Sequence, residues 1–188
     1  MTTRRCRQQA AKIAPIMQLI VYKGGLLVRE NRTFRCAIGR SGITGDKREG
    51  DGATPIGEFC LREIYFRSDR LKSPQSNLPI TAIGPDEGWS DDPADPDYNR
   101  RVAIPHAFRH ETLWRSDSLY DIVVPLGYND DPPVSGLGSA IFLHVASDQY
   151  AATEGCVALA RNDLLEILKD CDHTSVLIVK PSASAVQR

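Results

Sequence analysis

Apolar and polar residues alternate along most of this chain with a period of two. Leu19–Tyr22 and Leu26–Arg29 flank Lys23-Gly24-Gly25, which predicts a hairpin closed by a glycine turn. Thr33–Ile38, Phe59–Phe66, Leu78–Ile83 and Thr174–Val179 read as further strands. Tyr120–Asn129 predicts a mostly apolar strand, and Ala140–Val145 a central one. Phe108–Arg115 reads as a short helical turn. The period lengthens only after position 156. Leu164, Leu165, Ile167 and Leu168 fit one helix face, and Asp163 with Glu166 three later resembles a capping box. The count is about nine strands and one clear helix. That is a mainly β fold, a sandwich or open barrel with one or two short helices.

The segments that break the pattern are polar. Residues 39–57 form a glycine-rich loop whose spacing is neither GxGxxG nor GxxxxGK[ST], so nucleotide binding fails. A loop this long either is a solvated connection or lines one wall of a cleft. Residues 84–101 are acidic and broken by prolines, but lack the spacing of a calcium loop. Three segments are expected: an N-terminal extension at 1–17, one domain at 18–180 and a tail at 181–188. Four basic residues precede Ile13, yet Pro15 and Gln18 interrupt the apolar run, so no cleaved export signal and no transmembrane anchor is predicted. The 188 residues carry a net charge of −1, which gives no basic field for nucleic acid. The five cysteines are odd in number and form no CxxC pair, so a free thiol is expected. Cys36 and Cys60 read as small buried hydrophobes.

The chemistry concentrates at residues 139–159. His144 closes a β-rich run, and Gly155 immediately precedes Cys156 across a polar loop. Three readings compete. Both residues are core; or Cys156 belongs to a zinc site with Cys171 and His173, whose spacing is too tight for usual ligand patterns; or the two are a nucleophile and its base. A thiolate is the reactive species and an imidazole can generate it. Glycine before the cysteine permits a turn that a Cβ would forbid, and opens backbone N–H groups to a substrate oxygen.

The order His144, then Thr153-Glu154-Gly155-Cys156, resembles the catalytic region of L,D-transpeptidases (the YkuD-type domain). The upstream Glu49-Gly-Asp-Gly-Ala-Thr-Pro-Ile-Gly-Glu-Phe59 resembles the same family's Thr-Pro-x-Gly-x-Phe segment. Three departures stand out: Glu154 where most members have histidine, Ala158 where most have arginine or asparagine, and a shorter loop between His144 and Cys156. The resemblance implies a β-sandwich or open barrel and a cysteine acyl-transferase acting on peptidoglycan stem peptides. Cys156 is then the nucleophile, His144 the base and Gly155 part of the oxyanion site. It also implies terminal D-alanine release, covalent inhibition by carbapenems, a cell-envelope location, no cofactor or metal, and a monomer. An L,D-carboxypeptidase or cell-wall amidase using the same cysteine is the alternative, as is a non-catalytic cell-wall binding module. Thr153 is expected to hydrogen-bond the turn. Glu154 is expected either to attract a cationic acceptor or orient an arginine, or to face solvent. Tyr98, Asn99, Arg100, His110 and Asn129 are candidates for the cleft rim, with Arg100 or Arg101 pairing the substrate carboxylate.

Overall fold

A computed structural model describes residues 16–181. In chain order its strands are β1 (Gln18–Tyr22), β2 (Leu26–Arg29), β3 (Arg32–Ala37), β4 (Ile43–Thr44), β5 (Thr54–Pro55), β6 (Gly57–Cys60), β7 (Ile64–Phe66), β8 (Ile80–Ala82), β9 (Glu87–Ser90), β10 (Arg101–Ala103), β11 (His110–Thr112), β12 (Ile122–Pro125), β13 (Phe142–Val145), β14 (Val157–Leu159) and β15 (Val176–Lys180). One helix, α1 (Arg161–Leu168), joins β14 to β15.

Ten strands form one mixed sheet in the order β6-β15-β1-β2-β3-β14-β13-β12-β7-β8. That order forces curvature. β6 and β7 lie eight inter-strand steps apart, about 38 Å if the sheet were flat. The chain from Cys60 to Ile64 can span only about 14 Å. The sheet therefore curls until β6 approaches β12. Arg62 N donates to Pro125 O at 3.1 Å and Gly127 N to Cys60 O at 2.8 Å, beside a Leu61–Leu126 bridge. The mainly β fold expected from the alternation, a sandwich or open barrel, forms as a curled half-barrel.

The inside of the curl is the main core. Leu19, Val21, Leu27, Leu143, Val157 and Leu177 point into it, and α1 closes it with Leu164, Ile167 and Leu168. Fully burying a side chain of this size contributes about 1.5–3 kcal/mol. The predicted hairpin turn holds: Gly24 and Gly25 have φ of +104° and +79°.

Several local expectations change. Phe59–Phe66 is not one strand, because the closure at Leu61–Leu126 breaks it into β6 and β7. Phe108–Arg115 is not a helical turn: His110–Thr112 pairs with β9, and that ladder outweighs local tendency. The helix starts one turn earlier than the capping box suggests. Its N-cap is Ala160, with no side-chain cap, and Asp163 lies inside the first turn. Cys60 is exposed rather than buried; Cys36 and Cys171 are buried. The expected extension and tail fall mostly outside the described residues, but Met17 O accepts from Val176 N at 3.0 Å.

Candidate active site

β13 and β14 run parallel, with Leu143 opposite Val157, His144 opposite Ala158 and Val145 opposite Leu159. Alternation sends the 143, 145, 157 and 159 side chains into the main core. Phe142, His144, Cys156 and Ala158 therefore share the other face. Cys156 and His144 are diagonal neighbours across one strand gap, about 8 Å apart at Cα in ideal geometry. Cys156 Sγ donates to Ala140 O at 3.1 Å and accepts from Phe142 N at 3.4 Å. His144 Nδ1 lies 2.8 Å from Val145 O. A carbonyl can only accept, so Nδ1 carries the proton and Nε2 keeps the lone pair of a base. The Tyr120 ring stands edge-on to the imidazole, centroids 5.3 Å apart.

A small sheet, β10-β9-β11, roofs this face, with Trp89 edge-on to Phe142 at 5.1 Å. Between roof and floor lies a cavity of about 640 Å³, which both Cys156 and His144 line. The Thr153–Cys156 turn forms one wall. Thr153 Oγ1 donates to Cys156 O at 2.7 Å and accepts from Gly155 N at 3.2 Å. Gly155 has φ +140°, and a Cβ there would lie 2.9 Å from Ala53 O. Arg40 N donates to Thr153 O and Thr153 N to Ile38 O, so the start of the glycine-rich loop braces the turn. Lys47, Glu49 and Gly50 of that loop line the cavity, as the cleft-wall reading of residues 39–57 anticipates.

The family model of the L,D-transpeptidase catalytic domain (YkuD) matches residues 15–179. The chain belongs to this family. No curated protein matches it. Among solved structures, the helical cell shape determining protein Pgp2 from Campylobacter jejuni is similar at 13% identity and a TM-score of 0.43, over 90% of this chain. The chain spans 49% of the length of that protein.

Within this L,D-transpeptidase-family domain the electrostatics keep both central groups neutral. Burial pushes the Cys156 thiol up to about 12; the Glu111 carboxylate adds to this, while the Phe142 N–H and Lys47 oppose it. Burial pulls His144 down to about 4 against the pull of backbone carbonyls at Val145 and Leu119. At neutral pH the two are a thiol and an imidazole, both uncharged. Among the described residues no group of three His, Cys, Asp or Glu is arranged to hold a metal.

The residues singled out in the sequence separate into three groups. Thr153, Glu154 and His110 line the cavity with Cys156 and His144, and Gly155 lies in the turn between Glu154 and Cys156. His110 Nδ1 donates to Phe108 O at 2.8 Å. Glu154 sits at the rim, its carboxylate 2.9 Å from Arg40 Nε and largely exposed. Tyr98, Asn99 and Asn129 are not rim groups; they hold the neighbouring loops. Tyr98 Oη donates to Glu49 at 2.5 Å; Asn99 Oδ1 accepts from Trp89 Nε1 and Ala140 N; Asn129 Nδ2 donates to Val134 O and Gly138 O. Arg100 and Arg101 line a separate cavity of about 200 Å³. Arg101 is further committed to Glu87. The cations in the Cys156 cavity are instead Lys47, Arg109 and Arg115. Sequence reading passed over these and over Glu111 and Tyr120. The one signal available was a block, His110 to Tyr120, in which charges alternate with aromatic and apolar residues.

Proposed function

We propose that this domain is a cysteine acyl-transferase acting on peptidoglycan stem peptides in the cell envelope. The observation that carries the reading is the shared face: register and alternation put Cys156 and His144 side by side on the floor of one roofed cavity. Cys156 Sγ attacks the carbonyl carbon of the penultimate diamino-acid residue. A C–S bond forms as the C–N bond to the terminal D-alanine breaks. The thiol proton moves to His144 Nε2 and on to the leaving amine. An acceptor amine or water then attacks the thioester, the C–S bond breaks, and the proton lost by the nucleophile returns to sulfur. The Gly155 N–H is already used by Thr153, which leaves the Cys156 N–H as the backbone donor for the oxyanion. Neutral starting groups suit this sequence, because charge separation arises only as the substrate carbonyl is attacked. A terminal carboxylate would meet Arg109 or Arg115 of the cavity by exchanging with its partner, Asp91 or Asp117.

The test is intact-protein mass spectrometry after incubation with a carbapenem, paired with turnover of a stem tetrapeptide. A single adduct on Cys156, lost together with turnover in Cys156→Ala, is the expected result. An unmodified thiol with no peptide turnover overturns the reading. Retained peptide binding without any turnover points to a binding module instead.

A further inference from the structure

The carboxylates around the cavity are committed, with one exception. Asp91 pairs with Arg109 at 3.0 Å and Glu154 with Arg40 at 2.9 Å. Glu49 Oε2 accepts from both the Tyr98 and Ser139 hydroxyls, at 2.5 and 2.7 Å. Glu111, on β11 in the roof, is held by a single hydrogen bond, from Tyr120 Oη to Oε1 at 2.5 Å. Among the described residues its Oε2 accepts nothing, and no cation forms a salt bridge with it. Arg115, whose charge favours the Glu111 carboxylate, is itself engaged by Asp117 at 2.6 Å and lies over the Tyr120 ring.

This placement is unfavourable for an empty site. Burial, with Asp91 and Glu49 as like charges, pushes the Glu111 carboxyl up, and Tyr120 and Arg115 only partly offset this. The same carboxylate opposes ionisation of Cys156, against Lys47 alone among the charged groups. A ligand cation at Glu111 would relieve both penalties together. We propose that Glu111 is a specificity-determining residue whose carboxylate, positioned by Tyr120, takes the free ammonium group of a diamino-acid side chain in the peptide substrate. The assignment rests on the acyl-transfer reading of Cys156. It also gives that reading a built-in coupling. Burial chiefly holds the thiol protonated; the substrate's ammonium cancels the added contribution of the Glu111 charge, so the nucleophile ionises more readily when the amine-bearing peptide is in place. Glu154, tied to Arg40 at the rim, is thereby relieved of the amine-binding role its sequence position suggests.

The experiment compares a stem tetrapeptide bearing a free side-chain amine with its N-acetylated twin. Binding is measured by calorimetry in Cys156→Ala, where no chemistry intervenes. The free amine is expected to bind roughly tenfold to a hundredfold more tightly, the range of a charge-assisted hydrogen bond. Adding Glu111→Gln should erase the difference, and Tyr120→Phe should reduce it. Equal affinity of the two donor peptides in Cys156→Ala overturns the proposal. Discrimination that survives Glu111→Gln also overturns it. Alkylation of Cys156 by iodoacetamide in the otherwise wild-type chain provides a readout that a purely structural role would not move. Glu111→Gln should shift its pH profile to lower pH. Failure of the acyl-transfer reading shows separately, as absent turnover in the wild type, while the binding arm still reports on Glu111.

Discussion

Replacing Gly155 by alanine tests how the nucleophile is presented. The backbone there has φ +140°, a conformation open to glycine and strained for any residue with a Cβ. That strain costs about 1–3 kcal/mol. The added methyl would also meet Ala53 O at 2.9 Å and Ile141 Cδ1 at 3.2 Å, so two packed neighbours must yield. A combined loss of about 2–4 kcal/mol is expected, a fall in Tm of about 5–15 °C for a chain of this size. Gly136→Ala separates the two contributions. Gly136 has φ +80° but nothing within 4 Å of the added Cβ, so it reports the backbone cost alone. Calorimetric melting of both variants, with the rate of Cys156 alkylation, is the assay. Gly155→Ala should melt clearly below Gly136→Ala and change thiol reactivity; Gly136→Ala should leave reactivity untouched. Equal melting temperatures, or a wild-type alkylation rate in Gly155→Ala, would refute the claim that close approach to Ala53 sets the turn.

Two further predictions concern burial and capping. His144 is held neutral by burial, down to about 4 from 6.5. Between those values the unfolded chain binds a proton that the folded chain refuses, so this contribution is intact above pH 6.5 and lost as pH falls toward 4. The full span is worth about 3 kcal/mol. Urea unfolding of the wild type and His144→Gln across that window should show the wild type losing the extra stability; parallel curves would exclude it. At the start of α1, Ala160 occupies the N-cap with φ −54° and ψ 142° and no capping side chain. Ala160→Asp should add about 1 kcal/mol, read as a rise in Tm of about 2–4 °C.

The alternation of apolar residues made the curled sheet legible because every core strand has one face against a continuous interior. It also carried the central geometry, since His144 on β13 and Cys156 just before β14 stand at even positions whose odd neighbours are Leu143, Val145, Val157 and Leu159. What escaped is set by long-range pairing. β9 and β11 are short, and they exist because they pair with each other and pack Trp89 on Phe142. No local pattern announces that. The same holds for the arginines. Arg100 and Arg109 look equivalent as loop cations, and only the roof's path sends Arg109 to the Cys156 cavity and Arg100 to another. The capping box failed for a simpler reason: the helix begins where β14 ends, at Ala160, and the strand's register rather than the side chain sets that boundary.

Ala158 shows how this site differs from the family pattern in physical terms. It stands directly opposite His144 in the ladder, on the cavity floor and almost fully buried. A longer cationic side chain there would lie beside the imidazole and stabilise a neighbouring thiolate. A methyl group does neither, and Glu111 acts in the opposite direction. The cations that remain in the cavity are committed: Lys47 to Asp51, Arg109 to Asp91 and Arg115 to Asp117. Burial is the main reason the thiol rests protonated, with Glu111 adding to it and Lys47 opposing it. An ammonium at Glu111 would remove the carboxylate's share of that penalty while His144 takes the proton.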